Sequence, residues 1–125
     1  MLSGEGPIFQ QLAERVAEDI INGTYAEETA VPSTNEYAAF YTMSPITAAK
    51  GIAVLVEQGV LYKKRGIGMF VSTGARERLL AERKATFRDQ RLAPLLHEAE
   101  LLGIDRTELT HMIAAFTDST DKEHS

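Results

Sequence analysis

The chain contains no cysteine and no tryptophan. Without cysteine there is no disulfide, no cysteine-ligated zinc and no thiol nucleophile. That usage fits a cytoplasmic protein. No stretch approaches the ~18 apolar residues of a membrane span, so no membrane partner is expected; the longest apolar run lies near Gly51–Val56. Met1–Gly6 shows no basic region followed by an apolar core, and no export signal is expected. Catalytic motifs are missing as well. His97, His111 and His124 lack metal-ligand spacing such as H-x-x-x-H, and neither a hydrolase motif nor a phosphate loop is present. No enzyme activity, cofactor or metal is therefore expected, the weaker alternative being a coordination site that joins His97 or His111 to tail carboxylates.

Basic charge is also scarce: 13 Lys and Arg stand against 18 Asp and Glu, for a net charge of −5. Alone, that argues against nucleic acid. Its distribution says more. Residues 1–36 hold seven acids (Glu5, Glu14, Glu18, Asp19, Glu27, Glu28, Glu36) and one base, Arg15. Residues 37–72 hold Lys50, Lys63, Lys64 and Arg65 against Glu57 alone. Any surface for phosphates belongs to that second stretch.

At 125 residues, 44% hydrophobic and 25% charged, the chain fits one compact domain with a modest appendage. Pro7 suits the first position of a helix, and Ile8, Leu12, Val16 and Ile20 form one apolar stripe along it. Asn22-Gly23 ends it. Thr24–Val31 reads as an extended connector with a short strand around Thr24–Ala26. Ser33 and Glu36 have capping-box spacing for a second helix to about Tyr41. Ser44-Pro45 starts a third, running to Gln58, with Ala48, Gly51, Ile52 and Leu55 on its apolar face. Gly51 costs ~1 kcal/mol in a helix, and close approach of the second helix is the expected compensation. Val60-Leu61-Tyr62 and Met69-Phe70-Val71 are β-prone and flank a basic, glycine-bearing tip, Lys63–Gly68. This order is that of a winged helix-turn-helix.

From Gly74 the composition turns helical and charged. Ala75–Gln90 reads as a solvated helix with Leu79, Leu80 and Phe87 as apolar points. Leu92, Leu95, Leu96, Ala99 and Leu102 continue a stripe that Pro94 should kink or interrupt, and Gly103 closes it. Asp105 and Glu108 form another capping box, opening a helix with Leu109, Met112, Ile113 and Phe116 on one face. Thr117–Ser125 is polar and expected to fray. The fold class is thus α+β, mostly α: a winged helix-turn-helix over 1–73 and a helical dimerisation region over 74–125. The tail stripes are too narrow to enclose both a core and a ligand cavity, so they are read as a homodimer interface.

Six stretches in order carry a family resemblance: Pro7–Leu12, Ile20–Gly23, Pro32-Ser33, Ser44–Thr47, Leu55–Leu61 and Arg65–Val71. Together they resemble the DNA-binding domain of the GntR family of bacterial repressors. The proline after Ser44 and the short tail resemble its YtrA-like branch. The resemblance implies a homodimeric repressor on an inverted-repeat operator in double-stranded DNA, often controlling neighbouring transporter genes. It departs at Asn35 and Pro45, where many members carry arginines, and at Glu27-Glu28, which replace a Pro-Gly turn.

In that frame the third helix presents Pro45, Ile46, Ala49 and Lys50, with Thr47 near its cap. Ile46 can touch a thymine methyl, Thr47 a phosphate or base edge, and Lys50 a phosphate or guanine. Ser33, Thr34 and Asn35 open the second helix, whose free N–H groups suit a phosphate, and Ser44 opens the third. Lys63, Lys64 and Arg65 around Gly66 suit the minor groove or backbone. The bland alternative makes these a cap, exposed helix positions and a solvated turn. The rival from another class is a winged helix serving as a protein-interaction adaptor without DNA binding. Operator sequence, regulated genes and any small-molecule effector are left open.

Overall fold

The computed structural model describes residues 2 and 4–124, with side chains through residue 116. Met1, Ser3, Ser125 and the side chains after Phe116, His124 included, lie outside the described residues, and with them part of the stretches read above as 1–6 and 117–125. The chain divides into two compact units, residues 1–82 and 83–125.

The first unit begins with α1 (Ile8–Ile21). Pro7 stands one position earlier than expected, as an extended N-cap whose carbonyl accepts the Gln10 and Gln11 N–H groups. Leu12, Val16 and Ile20 are buried together with Ala13 and Ala17, whereas Ile8 is 47% exposed. After the helix, Asn22 Oδ1 accepts the Thr24 N–H at 3.0 Å, and the Tyr25 N–H bonds the Asp19 carbonyl. Those donors are spent locally, so Thr24–Ala26 forms a turn rather than the expected strand. The strand falls later, at β1 (Ala30–Val31).

Ser33 caps α2 (Thr34–Tyr41) with the full capping box, and Thr42 closes it in the left-handed region at φ 54. Ser44 caps α3 (Pro45–Glu57), whose buried residues are Ala48, Gly51, Ile52 and Leu55. A Cβ at Gly51 would lie 2.7 Å from the Phe9 carbonyl oxygen and 3.2 Å from Leu12 Cδ2. The close approach that selects glycine is therefore with α1, not with α2. Two longer strands follow, β2 (Leu61–Lys64) and β3 (Gly68–Val71). The antiparallel order is β1-β3-β2, with Lys63 opposite Met69 and Lys64 opposite Gly68. Lys63 and Lys64 thus lie in the ladder, and the tip shortens to Arg65-Gly66-Ile67.

Next comes α4 (Ala75–Phe87), whose Ala75 and Leu79 complete the first unit's core. Arg76 Nε donates to the Ile21 carbonyl at 2.8 Å, and the Arg78 guanidinium donates to the Gly59 carbonyl. Helix continues through a π-turn, Arg88–Leu92, into α5 (Ala93–Leu101). The Ala93 N–H reaches back five residues to the Arg88 carbonyl. This widened turn absorbs Pro94, which has no N–H to give and whose ring would crowd a regular α turn. Gly103, at φ 74, separates α5 from α6 (Arg106–His124), where Asp105 Oδ1 accepts the Glu108 N–H at 2.8 Å. The backbone expected to fray after Phe116 belongs to α6 as far as His124.

Candidate nucleic-acid interface

The turn into α2 is held by its own side chains. The Ser33 hydroxyl accepts the Glu36 N–H at 3.1 Å, and Glu36 Oε1 accepts the Ser33 N–H at 3.0 Å. The Ser33 backbone first and its hydroxyl second keep the Glu36 carboxyl below its ordinary value. Ser33 and Asn35 stay exposed and Thr34 half-buried. The remaining N–H groups of the first turn are free to face an anion.

On α3, Ser44 Oγ accepts the Thr47 N–H at 3.1 Å and lies 2.9 Å from Thr47 Oγ1. Thr47 is therefore partly committed to the cap and half-buried, while Pro45, Ala49 and Lys50 are exposed and Ile46 is 83% exposed. The Lys50 amine is drawn back over the Phe9 ring, 4.2 Å from its centroid, rather than projecting straight outward.

The hairpin separates its two lysines. Side chains alternate along a strand, so Lys63 shares a face with Leu61, and Lys64 shares the opposite face with Tyr62. Lys64 Nζ sits 4.3 Å from the Phe70 ring centroid. On that same face the Tyr62 hydroxyl donates to Glu28 Oε1, and Thr73 Oγ1 donates to Glu28 Oε2 at 2.6 Å. The Thr73 hydroxyl first and Tyr62 second hold the Glu28 carboxyl low. The Glu28 N–H also bonds the Val71 carbonyl at 2.8 Å. Glu28 thereby ties the base of the hairpin to the segment before β1.

These elements meet at a cleft of 280 Å³. Ser33, Thr34 and Asn35 form one wall, Lys63, Gly68 and Met69 the other, with Ile52 of α3 between them. Lys63 is the cation that lines it. Lys64 and Lys50 do not. Arg65 and Gly66 stand exposed at the hairpin tip, and beside them Ile67 is 74% exposed. Ile67 and Met69 were not among the residues expected from sequence. Strand alternation is the signal that separates Lys63 from Lys64, and an aliphatic between two glycines at a tip is the signal for Ile67.

A helix-turn-helix followed by an anchored hairpin, with four of the five bases of residues 1–72 in the span 37–72, defines a winged-helix DNA-binding domain. This chain belongs to the GntR family: residues 8–71 match the pattern of the bacterial regulatory proteins of the gntR family. It is 28% identical over 109 residues to the transcriptional repressor NagR of Bacillus subtilis, covering 87% of this chain and 45% of that one. It thus spans under half the length of that relative. Against the repressor YtrA of the same organism identity is 27%, over 86% of this chain and 82% of YtrA. A GntR-family transcriptional regulator from Bacteroides thetaiotaomicron has a similar structure, with a TM-score of 0.76, 34% identity, and 90% and 98% of the two chains covered. The DNA-binding domain of AraR, in a crystal structure with operator ORX1, is similar at a TM-score of 0.52 and 29% identity, over 58% of this chain and 95% of that one. Among the described residues no helix is long and apolar enough to cross a membrane.

Proposed function

We propose that this chain is a cytoplasmic, sequence-specific transcriptional repressor that acts as a homodimer on an inverted-repeat operator, with transporter genes among its targets. The observation that carries this reading is the convergence of the α2 N-terminus and Lys63 on one cleft, beside the exposed face of α3. Helix N–H groups and Lys63 suit phosphates. Ile46 and Ala49 project where base edges and thymine methyls lie, with Pro45 and Thr47 shaping the end of the helix. Arg65, Gly66 and Ile67 reach the minor groove beside it, and Asn35 takes the place of a charged contact. Lys50 joins the interface only by leaving Phe9, and Lys64 only at its edge.

The proposed dimer is supported by apolar side chains that the tail leaves in water. Leu92, Leu95, Leu102, Met112, Ile113 and Phe116 are between 40% and 75% exposed. Ala99 is buried within the protomer, and Leu96 and Leu109 are half-buried. The first six are the surface a second copy covers; the other three support it from behind. Two-fold pairing then matches a two-fold operator.

A gel shift at low salt with duplex from upstream of the chain's own coding sequence tests the reading, with scrambled duplex as competitor. Retained, competitor-resistant binding is expected. No binding to either duplex in low salt contradicts it and leaves the acidic winged helix as a protein-interaction adaptor.

A further inference from the structure

A second and larger cleft, of 670 Å³, runs between α1 and α2. Its volume falls in the range of about 300–1,000 Å³ that small-molecule sites occupy. Arg15 and Asp19 of α1 line it with Tyr25, Tyr37, Phe40 and Tyr41. Tyr41 joins two of those rings: Tyr37 and Tyr41 stack at 6.4 Å, and Phe40 meets Tyr41 edge-on at 4.8 Å. Phe40 nevertheless remains 64% exposed. Such an aromatic surface in water suits a flat ring.

Two further features bear on what the ring carries. Tyr37 is 4% exposed, and its hydroxyl is sealed in the protein beside Tyr25. Burial first, and Tyr25 second, push that phenol up, so it stays a neutral hydroxyl. The cleft also holds two carboxylates to one guanidinium. Asp19 lies 3.5 Å from Arg15 Nε, and Glu36 lines the same cleft as the second carboxylate. The surrounding stretch, residues 1–36, has seven acids and one base, so its field favours a cation.

We propose that this cleft binds a cationic aromatic amine, with its ring against Tyr25, Phe40 and Tyr41 and its ammonium on Glu36 and Asp19. The position of the cleft gives binding a consequence. Pro32 lines both this cleft and the one that holds Lys63. Glu36 is half of the capping box that fixes Ser33. An ammonium that draws the Glu36 carboxylate away from the Ser33 N–H loosens the turn carrying Ser33, Thr34 and Asn35. This coupling rests on the DNA-binding reading; the binding site itself does not.

Tryptamine and indole-3-acetate share a ring and differ in charge, so they serve as paired probes. Each is titrated to about 10 mM, where a Kd in the millimolar range is still visible, into the DNA-free full chain while backbone amide shifts are followed. Tryptamine is expected to give saturable shifts at Tyr25, Tyr37, Phe40 and Tyr41, extending to Ser33, with indole-3-acetate giving none there. Phe40→Ala, at an exposed position, and Glu36→Gln, which keeps an oxygen for the cap, should each weaken tryptamine about threefold or more. Saturating tryptamine should then weaken operator binding by about fivefold or more in the wild type and not in Phe40→Ala. No shifts, scattered shifts, or equal response to both probes overturns the site. Equal loss of DNA binding in wild type and Phe40→Ala, an effect of the amine on DNA, overturns the coupling. Failure of the amine-free wild type to bind DNA is the failure of the DNA reading, and the amide shifts then decide the site alone.

Discussion

Glu28 occupies the left-handed region at φ 62, where the resemblance places a Pro-Gly turn. A glycine would take that conformation without strain; the carboxylate compensates by bonding Tyr62 and Thr73. Glu28 and Glu36 both have folded-state pKa values below the reference of 4.5. On acidification the unfolded chain binds those protons first. Their stabilisation is therefore complete above about pH 6 and lost as pH falls through the folded values. Melting temperature should be flat down to roughly pH 6 and fall below about pH 5. Glu28→Gln should give a shallower acid limb, and an unchanged limb contradicts the assigned bonds. At Gly51, alanine gains up to ~1 kcal/mol of helix propensity, but its Cβ meets the Phe9 carbonyl oxygen at 2.7 Å. Relieving a rigid backbone clash costs about 1–3 kcal/mol, so Gly51→Ala should lower the urea midpoint; a raised midpoint refutes the close α1–α3 contact. That Gly51 needs a neighbour was legible in the sequence, because a glycine on an apolar helix face asks for one. Which neighbour was not, since α1 meets α3 across long sequence separation.

Elements bounded by local chemistry were read well from the sequence. Ser33 with Glu36 and Ser44 with Pro45 open α2 and α3 through bonds made within three residues. The buried face of α3 follows its apolar spacing residue for residue. Strand β1 was missed because two residues carry no period and its pairing to β3 is non-local. Pro94 announced an interruption, but the π-turn that resolves it depends on where the widened turn falls. The hairpin was recognised, yet its strands run further toward the tip than composition suggested, and this changes the expected roles of the lysines. Lys63→Ala should reduce the slope of log K against log salt by ~0.9 on operator and random DNA alike. Lys64→Ala should reduce it less, because its amine lies over Phe70. Equal effects contradict this division. At α3, Ile46→Ser should weaken operator more than random DNA, by about 1–3 kcal/mol if a base contact is lost; equal weakening of both places Ile46 outside base readout.

For the whole molecule, the proposed DNA reading and the proposed pairing fall on separate stretches of chain, the first unit carrying the winged helix and the tail carrying the exposed leucines, Met112, Ile113 and Phe116. The tail stripes were visible as helical spacing. That Ala99 is internal while Leu102 is exposed was not, because spacing identifies an apolar face without saying what covers it. Met112→Asp with Phe116→Asp should yield a folded monomer by light scattering at micromolar concentration, with much weaker operator binding; a wild type that is itself monomeric there contradicts the dimer. The cleft between α2 and the hairpin is proposed to hold a DNA backbone beside the base-reading face of α3. The most direct measurement is the salt dependence of affinity for operator and random duplexes, with wild type and Lys63→Ala side by side. Affinity should fall steeply with salt for both duplexes, with a shallower slope for Lys63→Ala and a preference for operator that survives in the variant. A wild-type affinity indifferent to salt, or a slope that Lys63→Ala leaves unchanged, contradicts that proposal.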